Sequence, residues 1–358
     1  MKQSQKNYKR VVIKIGSSFL CSDGLHPDCA ALRGISEKIA QLVKDGVEVV
    51  IVSSGAIAFG MHILGLKERP KELHYLQASS AVGQNELMDH YRKLFREKNI
   101  NSSQVLLTWD DFTDKKRYAN TRNTLLTLLK LGSVPVINEN DTVSTDEIKF
   151  GDNDRLSALV ASLISADLLV ILSDVDGLLD KNKKIVRVVP EITSQIKELA
   201  CPTSKKTCVG GMITKIEAAK IAVDSGIPCV IANGRSPDLI FRIVKEPDSI
   251  GNWTLFLPKK GYLAASKRWI AFSAKPKGKI IVDDGAKKAL VNKKSLLSVG
   301  VVGVEGNFEN QDVVSIVDRQ GNEFARGKTC LACGQLDKVK GMCFEKEIVH
   351  RDNIVVFV

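Results

Sequence analysis

The sequence predicts an α/β domain on a mainly parallel sheet over residues 1–260, followed by a small β-rich, barrel-like domain over residues 266–358. Short β-branched runs alternate with longer amphipathic stretches through the first 260 residues, which is the pattern of βα units. Most of those runs are apolar throughout, as strands covered by helices on both faces must be. Past Pro258 the segments shorten, Gly, Lys and Val rise, and the long helical periods give way to turns. The 358 residues suffice for two or three domains at about 100–200 residues each.

In order, the strands of the first domain are expected at Val11–Ile15, Val47–Ser53, Gln104–Thr108, Val134–Asn138, Leu168–Ser173 and Pro228–Ala232. Apolar residues recurring every three and four positions predict helices over Ala31–Asp45, Leu73–Lys98, Tyr118–Leu131, Arg155–Ala166 and Ile213–Ser225. In the tail, strands are expected at Lys279–Val282, Gly300–Val304, Asp312–Val317 and Ile348–Phe357. One helix, Gly285–Val291, falls among them. Glu305-Gly306-Asn307 and Arg319-Gln320-Gly321-Asn322 supply turns between the strands.

Composition narrows the function classes. Hydrophobic residues make up 44% and charged residues 26%, a globular balance that excludes disorder over the whole chain. No run reaches the eighteen apolar residues of a membrane span, and the basic N-terminus is not followed by a secretory pattern, so a cytoplasmic location is expected. The net charge is +11 but diffuse: residues 266–358 carry 16 basic and 11 acidic side chains, leaving 36 and 30 to the rest. Diffuse charge of this kind suits an anionic small substrate as well as a nucleic acid. Of the eight cysteines only Cys330 and Cys333 have metal-like spacing, with Cys343 and His350 farther on. Free thiols are expected there in preference to a zinc site.

Ligands of open α/β sheets gather beyond the carboxyl ends of the strands, so the residues following each strand carry the functional signal. Lys14 interrupts an apolar strand and needs an anion or a carboxylate to replace its hydration; Gly16-Ser17-Ser18 after it can hold phosphate oxygens. Ser53-Ser54-Gly55-Ala56 is able to aim helix N-terminal amides at an anion. The densest constellation is Asn138-Glu139-Asn140-Asp141 with Gly151-Asp152-Asn153-Asp154, whose amides and carboxylates suit a zwitterionic amino acid, a lysine or Mg²⁺. Ser173-Asp174 follows the fifth strand. Gly210-Gly211 precedes a helix whose Lys215 opposes the macrodipole unless an anion, phosphate by preference, binds there. Neither a Walker motif, a G-x-G-x-x-G fingerprint nor a G-x-S-x-G elbow occurs. The histidines lie apart from these motifs, so no metal site built on histidine is expected.

The ordered set VVIKIGSS, VIVSSGAIAFG, AVGQ, PVINENDTVS, FGDNDRLSALVA, LSDVDGL, GGMITKIEAAKIA and TLFLP resembles the glutamate 5-kinases of the amino acid kinase superfamily. The tail (KRWIAF, GKIIVDDGAKKAL, SLLSVGVVGVEGNF, VHRDN) is similar to a PUA domain. The resemblance implies a three-layer α/β sandwich that transfers the γ-phosphoryl group of ATP, with Mg²⁺, to the side-chain carboxylate of L-glutamate. The product, γ-glutamyl phosphate, stands at the first step of proline biosynthesis. It further implies catalytic Lys14 and Lys215 held by Asp154, and glutamate bound by Ser54, Asp141 and Asn153. ATP would be contacted by Ser173, Asp174 and the segment Val209, Gly210, Gly211, Met212, Ile213, Thr214 and Lys215. Feedback inhibition by proline, a homo-oligomer (dimer or tetramer) and functional coupling to γ-glutamyl phosphate reductase complete the implication. The alternatives are another kinase of the superfamily, or an RNA-binding protein acting through the PUA-like tail. Two departures stand out: Cys208-Val209 replaces the Gly-Thr of many relatives, and Thr329–Lys346 fits the PUA pattern poorly.

Overall fold

The computed structural model describes residues 8–22, 26–144, 153–200, 211–236, 238–246, 251–259 and 261–357. It divides into two compact units, one formed by residues 1–111 and 115–262 and the other by residues 112–114 and 263–358.

The larger unit holds a sheet of eight strands: β1 (Arg10–Ile15), β2 (Glu48–Ser53), β3 (Asn101–Leu107), β4 (Ser133–Glu139), β5 (Leu168–Ser173), β6 (Val188–Val189), β7 (Cys229–Asn233) and β8 (Trp253–Phe256). Their order is β3-β4-β2-β1-β5-β7-β8-β6, parallel throughout except where β8 runs against β7. The six strands expected from the sequence form the parallel set. The short β6 and the antiparallel β8 were not anticipated, and neither has the long apolar run of a central strand. The principal helices are α1 (Cys29–Lys44), α2 (Ala56–Ile63), α3 (Leu73–Arg96), α4 (Lys115–Lys130), α5 (Asp154–Ile164), α6 (Met212–Asp224) and α7 (Asp238–Lys245). Of these, α2 and α7 were not among the five expected helices.

Strand side chains alternate between faces, and β1, in the middle of the sheet, shows the consequence. Val11, Ile13 and Ile15 join a core with Leu32, Ile35 and Ile39 of α1, Phe59 of α2, Leu87 and Tyr91 of α3, and Ile240 and Ile243 of α7. Val12 and Lys14 point to the opposite face, toward α5, which packs on both β1 and α6. The sheet is thus covered on both sides, as its apolar strands require.

The smaller unit contains β9 (Gly278–Val282), α8 (Asp284–Val291), β10 (Val301–Gly306), β11 (Val313–Val317), β12 (Glu323–Lys328), α9 (Cys333–Val339) and β13 (Ile354–Val356). Its sheet runs β10-β9-β11-β12-β13, with β9 and β11 parallel and the other pairs antiparallel. Ile280, Val282, Leu290, Phe308, Val314, Ile316 and Leu336 form its own core. Two expectations needed revision here. β12 was missed because Glu323, Arg326 and Lys328 dilute its apolar signal, and only Ile354–Val356 of Ile348–Phe357 is a strand, since Arg351–Asn353 forms a turn of 3-10 helix. Cys330, Cys333 and Cys343 are free thiols, and among the described residues no three His, Cys, Asp or Glu side chains converge to hold a metal ion.

Candidate active site

Lys14 sits one residue before the end of β1, level with Val52 of β2 and Ile171 of β5. Strand alternation turns its side chain toward the N-terminus of α5, where Asp154 is the first helical residue. A carboxylate there is favoured by the helix macrodipole. Lys14 Nζ lies 2.7 Å from Asp154 Oδ1, and Lys215 Nζ, from the first turns of α6, lies 3.1 Å from Asp154 Oδ2. All three side chains are buried: Asp154 is 0% exposed, Lys14 3% and Lys215 7%. The Thr214 hydroxyl lies 3.0 Å from Asp154 Oδ2 and 2.9 Å from the Gly211 carbonyl oxygen, its single proton going to one of them. The anion expected opposite Lys215 is therefore already present in the protein as Asp154. One carboxylate thus meets two ammonium groups in a desolvated position, beside which an incoming anion is favoured.

A second cluster, of amides, adjoins the first. Asn153 caps α5, and its Nδ2 donates to the Ser53 carbonyl oxygen and to Asn138 Oδ1, both at 2.7 Å. Asn138 Oδ1 also accepts from the Glu139 backbone N–H at 2.9 Å, and Asn138 Nδ2 donates to Gln84 Oε1 at 2.8 Å. One turn earlier on α3, the Ser80 hydroxyl donates to Asp141 Oδ2 at 2.7 Å. Glu139 accepts from Ser144 Oγ at 2.7 Å. Burial pushes the Asp141 carboxyl up to about 6; the nearby Glu139 charge adds to this, while the Ser80 hydrogen bond and Arg69 oppose it. Ser54, at the end of β2, has a buried hydroxyl, and Gly55 beside it adopts φ +107° to start α2. Behind it the fully buried Tyr91 phenol, raised well above its ordinary pKa by desolvation, lies 3.0 Å from Ser53 Oγ.

Glycines set the approach of α3 to this site. A Cβ on Gly83 would lie 1.9 Å from the Ala56 carbonyl oxygen, and one on Gly60 would lie 1.7 Å from that of Ser79. Only glycine at both positions lets α2 and α3 cross closely enough to bring Ser80 and Gln84 to Asp141 and Asn138.

The structure joins Lys14, Asp154 and Lys215, links Asn153 to the end of β2 just before Ser54, and places Asp141 on Ser80. Ser173 and Asp174 stand at the carboxyl end of β5, where Gly16 N–H donates to Leu172 O on the neighbouring residue; Ser173 Oγ lies 2.9 Å from Asp174 Oδ1. Gly211, with φ +77°, caps α6, followed by Met212 and Ile213 in its first turn. Val209 and Gly210, like Gly151 and Asp152, lie outside the described residues. Sequence reasoning missed Ser80 and gave Gln84 no role. A signal was present: the buried stripe of α3 reads Leu76, Ser79, Ser80, Gly83, Gln84, Leu87, Tyr91, with polar residues where an ordinary core stripe is apolar.

The model of the amino acid kinase family matches residues 9–233, which takes in Lys14, Asp154 and Lys215, and a PUA domain model matches residues 278–349. The chain belongs to the amino acid kinase family. Within it, a glutamate 5-kinase of Caldanaerobacter subterraneus subsp. tengcongensis is 45% identical over 97% of this chain and 97% of its own length. One of Thermoanaerobacter sp. (strain X514) is 43% identical over the same shares. One of Nitrosospira multiformis is 44% identical over 99% of this chain and 100% of its own. No described helix of this amino acid kinase is long and apolar enough to cross a membrane.

Proposed function

We propose that the chain transfers the γ-phosphoryl group of ATP to the side-chain carboxylate of L-glutamate, forming γ-glutamyl phosphate and ADP. The observation that carries this reading is the buried Lys14–Asp154–Lys215 cluster at the carboxyl end of the central strand. A carboxylate with a reference pKa near 4.3 is already a nucleophile at neutral pH, so no general base is required. Phosphoryl transfer asks chiefly for in-line positioning and for stabilisation of the phosphoryl oxygens. Lys14 and Lys215 supply the stabilising charge, and Asp154 holds both ammonium groups in place. Ser173, Asp174 and the N-terminal turn of α6 line the nucleotide side. On the other side Asp141 receives the substrate ammonium and Ser54 a carboxylate oxygen, while Asn153, whose two Nδ2 hydrogens are already given to Ser53 O and Asn138 Oδ1, lines the subsite with its Oδ1 and backbone.

Mg²⁺, when bound with the nucleotide, neutralises phosphate charge. Such an ion would be held by phosphate oxygens and water with one or two carboxylates, of which Asp174, at the carboxyl end of β5, is the candidate on the nucleotide side. The same reading extends to proline as a competitor for the zwitterion subsite, to a homo-oligomer, and to a reductase that consumes the unstable acyl phosphate.

ADP release, with hydroxylamine present to trap an acyl phosphate, tests the activity with glutamate, aspartate and N-acetylglutamate offered in turn. Hydroxamate is expected from glutamate far above the others. No hydroxamate from glutamate, or an equal yield from N-acetylglutamate, which lacks the ammonium, overturns the reading.

A further inference from the structure

Gln84 carries a buried donor to which the mechanism above assigns no task. Its orientation follows from a chain of hydrogen bonds that begins at a backbone amide. The Glu139 N–H can only donate, so Asn138 must present Oδ1 to it. Asn138 then offers Nδ2 in the other direction, and Gln84 must meet it with Oε1. Gln84 Nε2, with its two N–H groups, is thereby turned away from Asn138. That nitrogen is buried and, among the described residues, has no hydrogen-bond partner; the same is true of Ser54 Oγ. Gln84 as a whole is 8% exposed. Buried donors are almost always paired, and an unpaired one in the wall of a binding site points to an acceptor supplied by the ligand.

We propose that Gln84 is a specificity-determining residue whose Nε2 donates, together with the Ser54 hydroxyl, to the main-chain carboxylate of the amino acid substrate. The inference rests on the proposed glutamate reaction and deepens it. Gln84 lies one helical turn from Ser80, which holds Asp141. In an amino acid the ammonium and the carboxylate share one carbon, so the receptor for the ammonium needs a carboxylate donor close beside it. The side-chain carboxylate then extends along the network through Asn153 toward Lys14 and Lys215. A neutral amide suits the position better than a lysine would, because an ammonium there would pair with Asp141 and block the substrate's own.

The test compares L-glutamate with L-isoglutamine, in which the main-chain carboxylate is an amide and the side-chain carboxylate remains. Gln84→Glu keeps an acceptor for Asn138 Nδ2 but removes the donor; Gln84→Met keeps the volume and serves if the first variant fails to fold. Each variant is expected to raise KM for glutamate by at least about tenfold while kcat and KM for ATP stay within about threefold. The preference for glutamate over isoglutamine should fall by at least about tenfold, since a site built to bond a group loses discrimination when the bond is removed. An unchanged KM, or equal losses on both substrates, overturns the proposal, because a merely structural role would lower both together. Calorimetric titration with the two ligands reads the same ratio without turnover. A wild type that binds glutamate with this preference but forms no hydroxamate refutes the reaction and not the contact.

Discussion

Two buried polar clusters lie side by side in this kinase and solve opposite problems. Around Asp154 the contacts are mainly ionic, one carboxylate and two ammonium groups nearly without solvent, with the Thr214 hydroxyl beside them. Around Asn138 the chain is mostly neutral, Gln84 to Asn138 to Asn153 to a backbone carbonyl, with Asp141 at its margin. A transferring phosphoryl group carries spread negative charge and, once placed in line, needs positive charge beside its oxygens. A zwitterion carries no net charge, and its recognition depends on which atom donates and which accepts. On the proposed reading the ionic cluster governs rate, and the amide cluster governs choice of substrate.

The largest effect that sharpens this contrast is expected from Asp154→Asn. It leaves two buried ammonium groups without their shared carboxylate, and breaking such a buried pair costs about 3–5 kcal/mol. Thermal unfolding should show the loss, with ATP raising the melting temperature of the variant more than that of the wild type because phosphate replaces the missing charge. A variant as stable as the wild type would mean that the two lysines repel little, and that the cluster is less ionic than its geometry implies.

Gly83→Ala should come next. Its methyl group would lie 1.9 Å from Ala56 O, so α2 and α3 must part, at a cost of about 1–3 kcal/mol. Ser80 and Gln84 ride on the displaced helix, whereas Lys14 and Lys215 do not. KM for glutamate should therefore rise with little change in KM for ATP. Equal effects on both substrates would break the separation of the two clusters.

The smallest effect concerns pH. Asp141 titrates in the folded protein at about 6, above its ordinary value of 3.8, because burial disfavours its charged form. Between those two values the folded state binds more protons than the unfolded one, so this group's contribution to stability falls as pH rises through the window and is constant above it. Affinity for the substrate ammonium has the opposite sign. The kcat/KM for glutamate should rise up to about pH 6 and then level off. Ser80→Ala removes a hydrogen bond that favours the carboxylate, so the limb should move to higher pH. A limb that stays in place would remove Asp141 from the ammonium site.

These clusters also differ in how far the sequence discloses them. Lys14 announces itself as a charge inside an apolar strand, and the parallel strands announce themselves as uninterrupted apolar runs, because burial on both faces leaves a local mark. The pairing of Lys14 and Lys215 with Asp154 has no such mark: the three are joined only by the crossover topology, and the family resemblance alone implied their meeting. Gln84 is hidden further. Its importance follows from the direction in which a backbone amide of Glu139 points, passed on through Asn138, and from two glycines that let helices touch. In the smaller unit, β12 escaped because its exposed face is charged, and Ile348–Phe357 was read as one strand because apolar composition does not show where a backbone turns.

The central claim is that two ammonium groups, fixed by one aspartate, stabilise the transferring phosphoryl group. Turnover of Lys14→Met, followed by hydroxamate trapping with saturating glutamate and ATP, tests it most directly. The account predicts that kcat falls about 10²–10³-fold while KM for glutamate stays within about threefold. A kcat within about tenfold of the wild type, or a loss confined to KM, would contradict it.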